Sequence, residues 1–192
     1  MEKLVYIDAC IRDEQSRTKK IAFPLIEELQ NKYEIITFNL NELDLEIVKI
    51  DLLKKRLNGI IDKTVLSWAN AIRTCDRLVI AAPFWDMSIP SALKVFIELC
   101  SIFDVTFKSD DKTCYGNCRC KKTLFITTRG MNIETRDKLD QATSYLEALS
   151  SLWGLGEVIV ISAKNMDYDD EETNNKKIEL AIKEGLEIIK TF

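Results

Sequence analysis

The sequence contains no histidine among its 192 residues. This absence excludes every mechanism that uses a histidine base, and it removes the commonest side-chain ligand of transition metals. Glycine is also scarce, with 6 residues, and neither a Walker loop nor a Gly-x-Gly-x-x-Gly turn is present. Any phosphate site in this chain must therefore use side chains and a helix N-terminus instead of a glycine-rich loop.

Long apolar runs and an excess of positive charge are missing as well. No apolar run approaches the roughly 20 residues that a membrane-spanning helix needs. The net charge is -4, and no basic stripe with interleaved aromatic residues appears, which argues against nucleic-acid binding. The segment "MEKLVYIDAC" resembles a strand more than a signal peptide. We therefore expect one cytoplasmic domain over residues 1–192, with no nucleic-acid or membrane partner.

Strand-like and helix-like patterns alternate along the chain. Helical spacing follows Ser16, covers 44–75 with a break near Asn58-Gly59, and returns from Pro90, over about 134–153 and from about 170. Such alternation predicts an α/β fold with a three-layer, doubly wound parallel sheet of strand order 2-1-3-4-5. Ligands of such sheets bind at the carboxyl ends of the strands. The five predicted strands are 3–9, 33–40, 77–83, 123–128 and 157–163.

The loop after the first strand, "CIRDEQSRTKK", has the chemistry of a phosphate site. Ser16 and Thr18 supply hydroxyl groups, Arg17 supplies a guanidinium, and the following helix supplies free N–H groups. The alternative interpretation is an ordinary N-cap followed by solvated basic residues.

The loop after the third strand, "AAPFWDMSIP", combines apolar bulk with polar groups. Pro83 ends the strand, so nearby backbone groups are free to bond a ring edge, and the side chains of Phe84, Trp85 and Met87 can form an apolar wall. Alternatively, Phe84 and Trp85 simply pack under the next helix.

The loop after the fourth strand is "TTRGMN". Gly130 permits unusual backbone angles, and Thr128 and Arg129 can donate hydrogen bonds to an electron-rich ring edge. The alternative is an ordinary strand-to-helix turn. One phosphate loop and two ring loops at one edge of a sheet suit a mononucleotide with a flat ring, and FMN is the natural candidate.

The six cysteines are expected to be free thiols in a reducing cytosol. Cys114, Cys118 and Cys120 are close in sequence, but they lack the fourth ligand that structural zinc requires. We therefore expect no metal here and interpret the three as exposed thiols in the polar segment 104–122. The acidic run 167–172 is typical of a solvated helix N-terminus.

The ordered set of motifs resembles the flavodoxin-like FMN-dependent NAD(P)H oxidoreductases, namely the NADH-azoreductase and NAD(P)H:quinone reductase group. The resemblance covers nearly the whole chain, and no single motif is specific by itself. The motifs are "SRT" at 16–18, "APFWDMSIPSALK" at 82–94, "VTFK" at 105–108, "GNCRCKK" at 116–122, "TTRG" at 127–130 and "WGLGEVIVISA" at 153–163.

The resemblance implies a set of cofactor-binding residues and no catalytic side chain. These residues form three groups: those that would bind the phosphate, those that would contact the ribityl chain and the ring, and those of a loop that would approach the ring. They are Ser16, Arg17 and Thr18 with Cys10 for the phosphate; Pro83, Phe84, Trp85, Asp86 and Met87 for the ribityl chain and ring; and Thr128, Arg129, Gly130 and Met131 for the approaching loop.

The resemblance also implies an activity and an assembly. NADH or NADPH would reduce the flavin, which would pass the electrons to a quinone-like or azo acceptor. A homodimer is implied, and segment 104–122 could reach toward the partner. Two alternatives remain open at this point: a flavodoxin-type electron carrier, and a flavin-binding redox sensor that uses the cysteines of 114–120.

Overall fold

The central element is a five-stranded parallel sheet. The structure is a computed structural model that describes all 192 residues. Its strand order, β2-β1-β3-β6-β7, corresponds to 2-1-3-4-5 when the strands of this sheet alone are counted, so the prediction is confirmed. The strands are β1 Glu2–Asp8, β2 Tyr33–Asn39, β3 Arg77–Ala81, β6 Lys122–Thr128 and β7 Glu157–Ala163, and β4 Phe107–Ser109 pairs with β5 Cys114–Gly116 in a separate hairpin.

Five of the six helices supply the buried residues that cover the two faces of the sheet. α1 and α6 pack on one face, and α3, α4 and α5 pack on the other. None of the helices is both long and apolar enough to cross a membrane. The helices are α1 Arg17–Leu29, α2 Ile50–Leu57, α3 Lys63–Thr74, α4 Ser91–Cys100, α5 Gln141–Trp153 and α6 Glu171–Ile188.

Side chains that alternate along β1 show why the sheet needs cover on both faces. Val5 and Ile7 belong to the core on the α3–α5 face, whereas Leu4 and Tyr6 belong to the core on the α1–α6 face. All four are less than a tenth exposed. Burying such side chains stabilises the fold by about 1.5–3 kcal/mol each, so neither face of the sheet can be left open to water.

The segment 104–122 differs from its prediction as a polar excursion, because it contains the hairpin β4–β5. Gly116 lies so close to the end of α5 that a Cβ there would be 2.2 Å from the backbone nitrogen of Gly154. The hairpin is therefore packed onto the domain. The helix expected from about 134 begins only at Gln141, after an N-cap at Asp140 whose side chain accepts a hydrogen bond from the Thr143 N–H.

The expectation of three exposed thiols in this segment is wrong in part. Cys114 is exposed, but Cys118 is half-buried and Cys120 is buried. Cys120 lies two residues before β6, and the approach to this central strand carries it into the core. No group of three or more cysteine, aspartate and glutamate side chains has an arrangement that could hold a metal ion.

Candidate functional site

Four loops meet at the carboxyl edge of the sheet. The Phe84 N–H donates to the Thr128 carbonyl at 3.1 Å, which joins the loops after β3 and β6. The hydroxyl oxygens of Thr18 and Thr128 are 2.7 Å apart, which joins α1 to the end of β6. The Met166 N–H donates to the Arg129 carbonyl at 3.0 Å, which adds the loop after β7. Three of the four loops were predicted to meet, and the fourth was not.

These loops line a cleft of about 110 Å³ that is open to solvent. One end of the cleft is polar and lies at the start of α1, and the other has an aromatic wall. The lining residues are Arg12, Gln15, Ser16, Arg17, Pro83, Phe84, Trp85, Thr128, Arg129, Gly130, Met166 and Asp167.

The polar end of the cleft has hydrogen-bond donors without partners. Ser16 caps α1, and its side-chain oxygen accepts from the Lys19 N–H at 3.3 Å. The backbone N–H groups of Arg17 and Thr18, in the first turn of α1, have no hydrogen-bond partner within the chain. Unpaired N–H groups at the start of a 13-residue helix favour an anion at this end of the cleft.

The basic side chains near this end are not equivalent. Lys19 is engaged by the carboxylates of Asp8 and Asp13. The Arg17 guanidinium pairs with Asp167, with 2.8 Å between nitrogen and oxygen. Arg12 is exposed, lines the cleft and forms no ion pair. The free cation of the cleft is therefore Arg12, a residue that the sequence analysis did not identify.

The aromatic wall is carried by a tight turn. The backbones of Trp85 and Ser88 exchange two hydrogen bonds of 3.0 and 2.8 Å. Between them, Asp86 and Met87 have φ angles of 48° and 64°, as in a type I′ turn. Such angles cost about 1–2 kcal/mol for residues other than glycine. The turn leaves Trp85 39% exposed beside the cleft, whereas Phe84 is buried.

The Arg129 side chain does not serve the cleft as predicted. Its guanidinium is completely buried and pairs with Asp140, with 2.8 Å between nitrogen and oxygen. It also donates to the Ile133 carbonyl at 2.9 Å and lies 5.5 Å from the Phe84 ring centre. Arg129 therefore reaches the cleft through its backbone, and its side chain supports the loop before α5 and the aromatic wall from inside.

The buried pair has an electrostatic signature. Burial alone raises the pKa of Asp140, but hydrogen bonds from Thr143 and Arg136, with the charge of Arg129, outweigh it. The net pKa of Asp140 is therefore lower than usual. Burial lowers the pKa of Arg129, and the attraction of Asp140 opposes that effect. The pair stays ionised and acts as a structural support.

Cys10 and Thr18 lie beneath the cleft and do not line it. The Cys10 thiol is 1% exposed and donates to the Ala81 carbonyl at 3.7 Å. Burial, with the nearby charge of Asp8, raises the pKa of Cys10, so it remains a protonated thiol. The fully buried Thr18 bonds to Thr128. Both residues support the loop after β1 from below.

Three further predicted residues also lie outside the lining. Asp86 is an exposed turn residue, Met87 packs against the core, and Met131 is 36% exposed. The remaining predicted residues line the cleft, together with four that the sequence analysis did not identify. Those that line it as predicted are Ser16, Arg17, Pro83, Phe84, Trp85, Thr128, Arg129 and Gly130; the additional ones are Arg12, Gln15, Met166 and Asp167.

Comparison with known proteins decides the family. A sequence profile described as "Flavodoxin-like fold" matches residues 2–187. The chain belongs to this flavodoxin-like family. It is 31% identical to the FMN-dependent NADH:quinone oxidoreductase of Clostridium beijerinckii over the full length of both chains. It is 32% identical to the FMN-dependent NADH:quinone oxidoreductase 2 of Clostridium acetobutylicum, over 90% of each chain.

A solved structure shows the same fold. The FMN-dependent NADH-azoreductase of Bacillus anthracis, solved in complex with FMN, superimposes with a TM-score of 0.83. The superposition covers 98% of this chain and 99% of the azoreductase, at 18% sequence identity. At that identity the likeness supports the fold, and the chemistry must be argued from the cleft.

Proposed function

We propose that the protein is an FMN-dependent NAD(P)H oxidoreductase that passes electrons to a quinone-like or azo acceptor. The observation that carries the proposal is the cleft, where unpaired N–H groups at the start of α1 and an aromatic wall share one cavity. The names of the clostridial relatives support FMN and NADH. NADPH remains open as a second electron donor.

The residues of the cleft fit FMN. The Ser16 side chain, the N–H groups of Arg17 and Thr18, and the Arg12 guanidinium would hold the phosphate. Trp85 would flank the ring from the aromatic wall. The cleft offers a single such anion site at its helix N-terminus, so we expect FMN rather than FAD.

The bound flavin would supply the two-electron chemistry. The chain contributes binding and orientation, because the tight turn fixes Trp85 and the buried Arg129–Asp140 pair supports the wall behind it. No histidine is available as an acid or base. We therefore assign cofactor-binding residues and no catalytic side chain.

The test uses the purified protein reconstituted with FMN under anaerobic conditions. We expect NADH to bleach the flavin absorbance and a quinone to restore it over repeated cycles. Mass spectrometry of the released cofactor should identify FMN. Tight FMN binding without bleaching by NADH or NADPH would instead indicate a flavodoxin-type carrier, an alternative that the names of the relatives do not favour.

We also propose a cytoplasmic homodimer. Besides the resemblance, α2 supports a dimer, because it contains no buried residue. Its apolar side chains Ile50, Leu53 and Leu57 are 63%, 45% and 87% exposed, an arrangement that is costly in water unless another surface covers it. Sedimentation at micromolar concentration should give a dimer, and a monomer at every concentration would contradict this part of the proposal.

A further inference from the structure

Two buried cysteines, Cys75 and Cys120, lie close to each other just before the amino ends of two neighbouring central strands. β3 and β6 pair in parallel, and Arg77 is opposite Lys122 at the first position of the register. Two residues before these in each chain segment are Cys75 and Cys120, and both are buried in the core on the α3–α5 face of the sheet. Besides the cysteines of its own segment 114–120, Cys120 therefore has a possible disulfide partner that is distant in sequence, Cys75.

Backbone hydrogen bonds hold the two segments together on both sides of the cysteines. The Arg119 N–H donates to the Arg73 carbonyl at 3.0 Å, and the Lys121 N–H donates to the Asp76 carbonyl at 3.0 Å. Neighbouring strands are about 4.7–4.9 Å apart. Disulfides join residues whose Cα atoms are about 4.4–6.8 Å apart. The two hydrogen bonds bracket the cysteines, so the backbones of Cys75 and Cys120 lie side by side, as a disulfide between neighbouring segments requires.

The environment differentiates the two thiols. Cys75 is completely buried, and Cys120 is 6% exposed. Hydrogen bonding from Cys75 lowers the pKa of Cys120, with help from the Thr123 hydroxyl and the Arg77 charge, although burial opposes the shift. The same hydrogen bond, together with burial, raises the pKa of Cys75. In the structure the Cys75 thiol donates to the Ile72 carbonyl and the Cys120 thiol to the Lys122 carbonyl, each at 3.2 Å. Because the pKa of Cys120 is lowered and that of Cys75 is raised, Cys120 is the member of the pair that reacts first.

We propose that Cys75 and Cys120 form a reversible dithiol–disulfide site whose oxidant is hydrogen peroxide. The site lies at the amino ends of β3 and β6, whereas the cleft lies at their carboxyl ends. The proposal is therefore independent of the flavin chemistry.

The chemistry balances in two steps. The Cys120 sulfur attacks one peroxide oxygen, the O–O bond breaks, and hydroxide leaves, so that Cys120 becomes a sulfenic acid. The Cys75 sulfur then attacks the Cys120 sulfur and displaces hydroxide as the S–S bond forms. The two thiol protons convert the two hydroxides to water. The pair loses two electrons, one peroxide becomes two waters, and a dithiol reductant restores the thiols.

The experiment maps the cysteines of the intact parent protein after treatment with one equivalent of hydrogen peroxide. Remaining thiols are blocked with N-ethylmaleimide, and peptides are analysed by non-reducing mass spectrometry. We expect one dominant cross-linked peptide pair, Cys75 with Cys120, which dithiothreitol removes. In Cys75→Ser we expect complete loss of the cross-link and accumulation of sulfinic acid at Cys120.

The matched control is Cys118→Ser, because Cys118 is half-buried in the same segment and the proposal gives it no role. This variant should keep the Cys75–Cys120 cross-link. A dominant Cys118–Cys120 cross-link in the parent, or oxidation of Cys120 without any cross-link, would overturn the proposal. The parent protein alone decides between these results, so a variant that fails to fold does not leave the question open.

Discussion

Asp167 should compete with FMN for Arg17, so removing its charge should tighten FMN binding. The Asp167 carboxylate accepts a hydrogen bond of 2.8 Å from Arg17 at the polar end of the cleft. Its second oxygen lies over Gly130, 2.0 Å from the position of an ideal Cβ there. A phosphate bound at the start of α1 would therefore lie near a like charge, and it would gain the Arg17 guanidinium as a second cation beside Arg12 only by drawing it away from Asp167.

The magnitude follows from two contributions. The Arg17 and Asp167 side chains are 39% and 66% exposed, and such an ion pair contributes about 0–1 kcal/mol. A carboxylate that lines the same cleft as a phosphate of nearly two charges adds a repulsion on the order of 1 kcal/mol in a water-like dielectric. Asp167→Asn keeps the shape of the side chain and removes both effects. We therefore expect FMN to bind about 5- to 30-fold more tightly.

Titration of apoprotein with FMN, followed by quenching of flavin fluorescence, measures the effect. The gain should shrink at high salt, because screening weakens interactions between exposed charges. Glu171→Gln is the matched control, since Glu171 is exposed in the first turn of α6 and does not line the cleft. Unchanged or weaker FMN binding in Asp167→Asn would refute the competition and indicate that the ion pair prepares the site instead.

Three further changes test the site and its supports. Ser16→Ala should weaken FMN binding about 10- to 150-fold, because a hydrogen bond to a charged group is lost; equal affinity in the same titration would place the phosphate elsewhere. Asp140→Ala leaves a buried guanidinium unpaired and should cost about 3–5 kcal/mol in urea unfolding at neutral pH, whereas the exposed Glu147→Ala should cost under about 0.5 kcal/mol. The pKa of Asp140 is lowered in the folded state, so the stability that its carboxylate contributes is complete above the unfolded pKa of about 3.9 and is lost as the pH falls through the folded pKa. Equal unfolding free energies for Asp140→Ala and Glu147→Ala at neutral pH would contradict the structural role of the buried pair. Gly116→Ala places a Cβ 2.2 Å from the Gly154 nitrogen and should lower stability by about 1–3 kcal/mol, measured by thermal unfolding, and an unchanged melting temperature would mean that the hairpin is not tightly packed.

The main sheet could be predicted because its information is local. A central parallel strand is buried on both faces, so it appears in the sequence as a short apolar run, and all five such runs lie in the sheet. The hairpin β4–β5 could not be predicted in this way. Each of its strands has three residues, and all six are half-buried or exposed, so no periodic pattern marks them. It depends on packing against α5, a contact between distant parts of the chain.

The delayed start of α5 has a similar cause. The helical spacing from about 134 takes no account of the buried Arg129 guanidinium. This group donates hydrogen bonds to the Ile133 carbonyl and the Asp140 carboxylate. Those bonds keep residues 133–140 irregular until Asp140 caps the helix. The sequence shows an arginine directly after the fourth predicted strand, but the sequence analysis interpreted its side chain as a donor to the ligand and not as a buried support.

The cleft was predictable to the extent that its loops follow predicted strands. Sheet order brings the ends of β1, β3 and β6 together, and those three loops supplied the correct candidates. Asp167 and Met166 were missed because the acidic run after β7 also fits a helix N-terminus, which it does form, with Asp170 as the N-cap. One loop therefore does both: Met166 and Asp167 line the cleft, and Asp170 caps the helix that follows.

β3 and β6 carry the cleft at one end and the cysteine pair at the other. From Cys75 to Phe84 the chain advances nine residues in largely extended conformation, a distance of about 30 Å at about 3.3 Å per residue. At about 30 Å, the direct electrostatic effect of a thiolate at Cys120 on a flavin in the cleft is at most about 0.5 kcal/mol at an effective dielectric constant of about 20. A disulfide there would add a covalent link where backbone hydrogen bonds already hold the strands together. Oxidation of this pair therefore acts on the stability of the central sheet, and the electron chemistry of the cleft is left to its own loops.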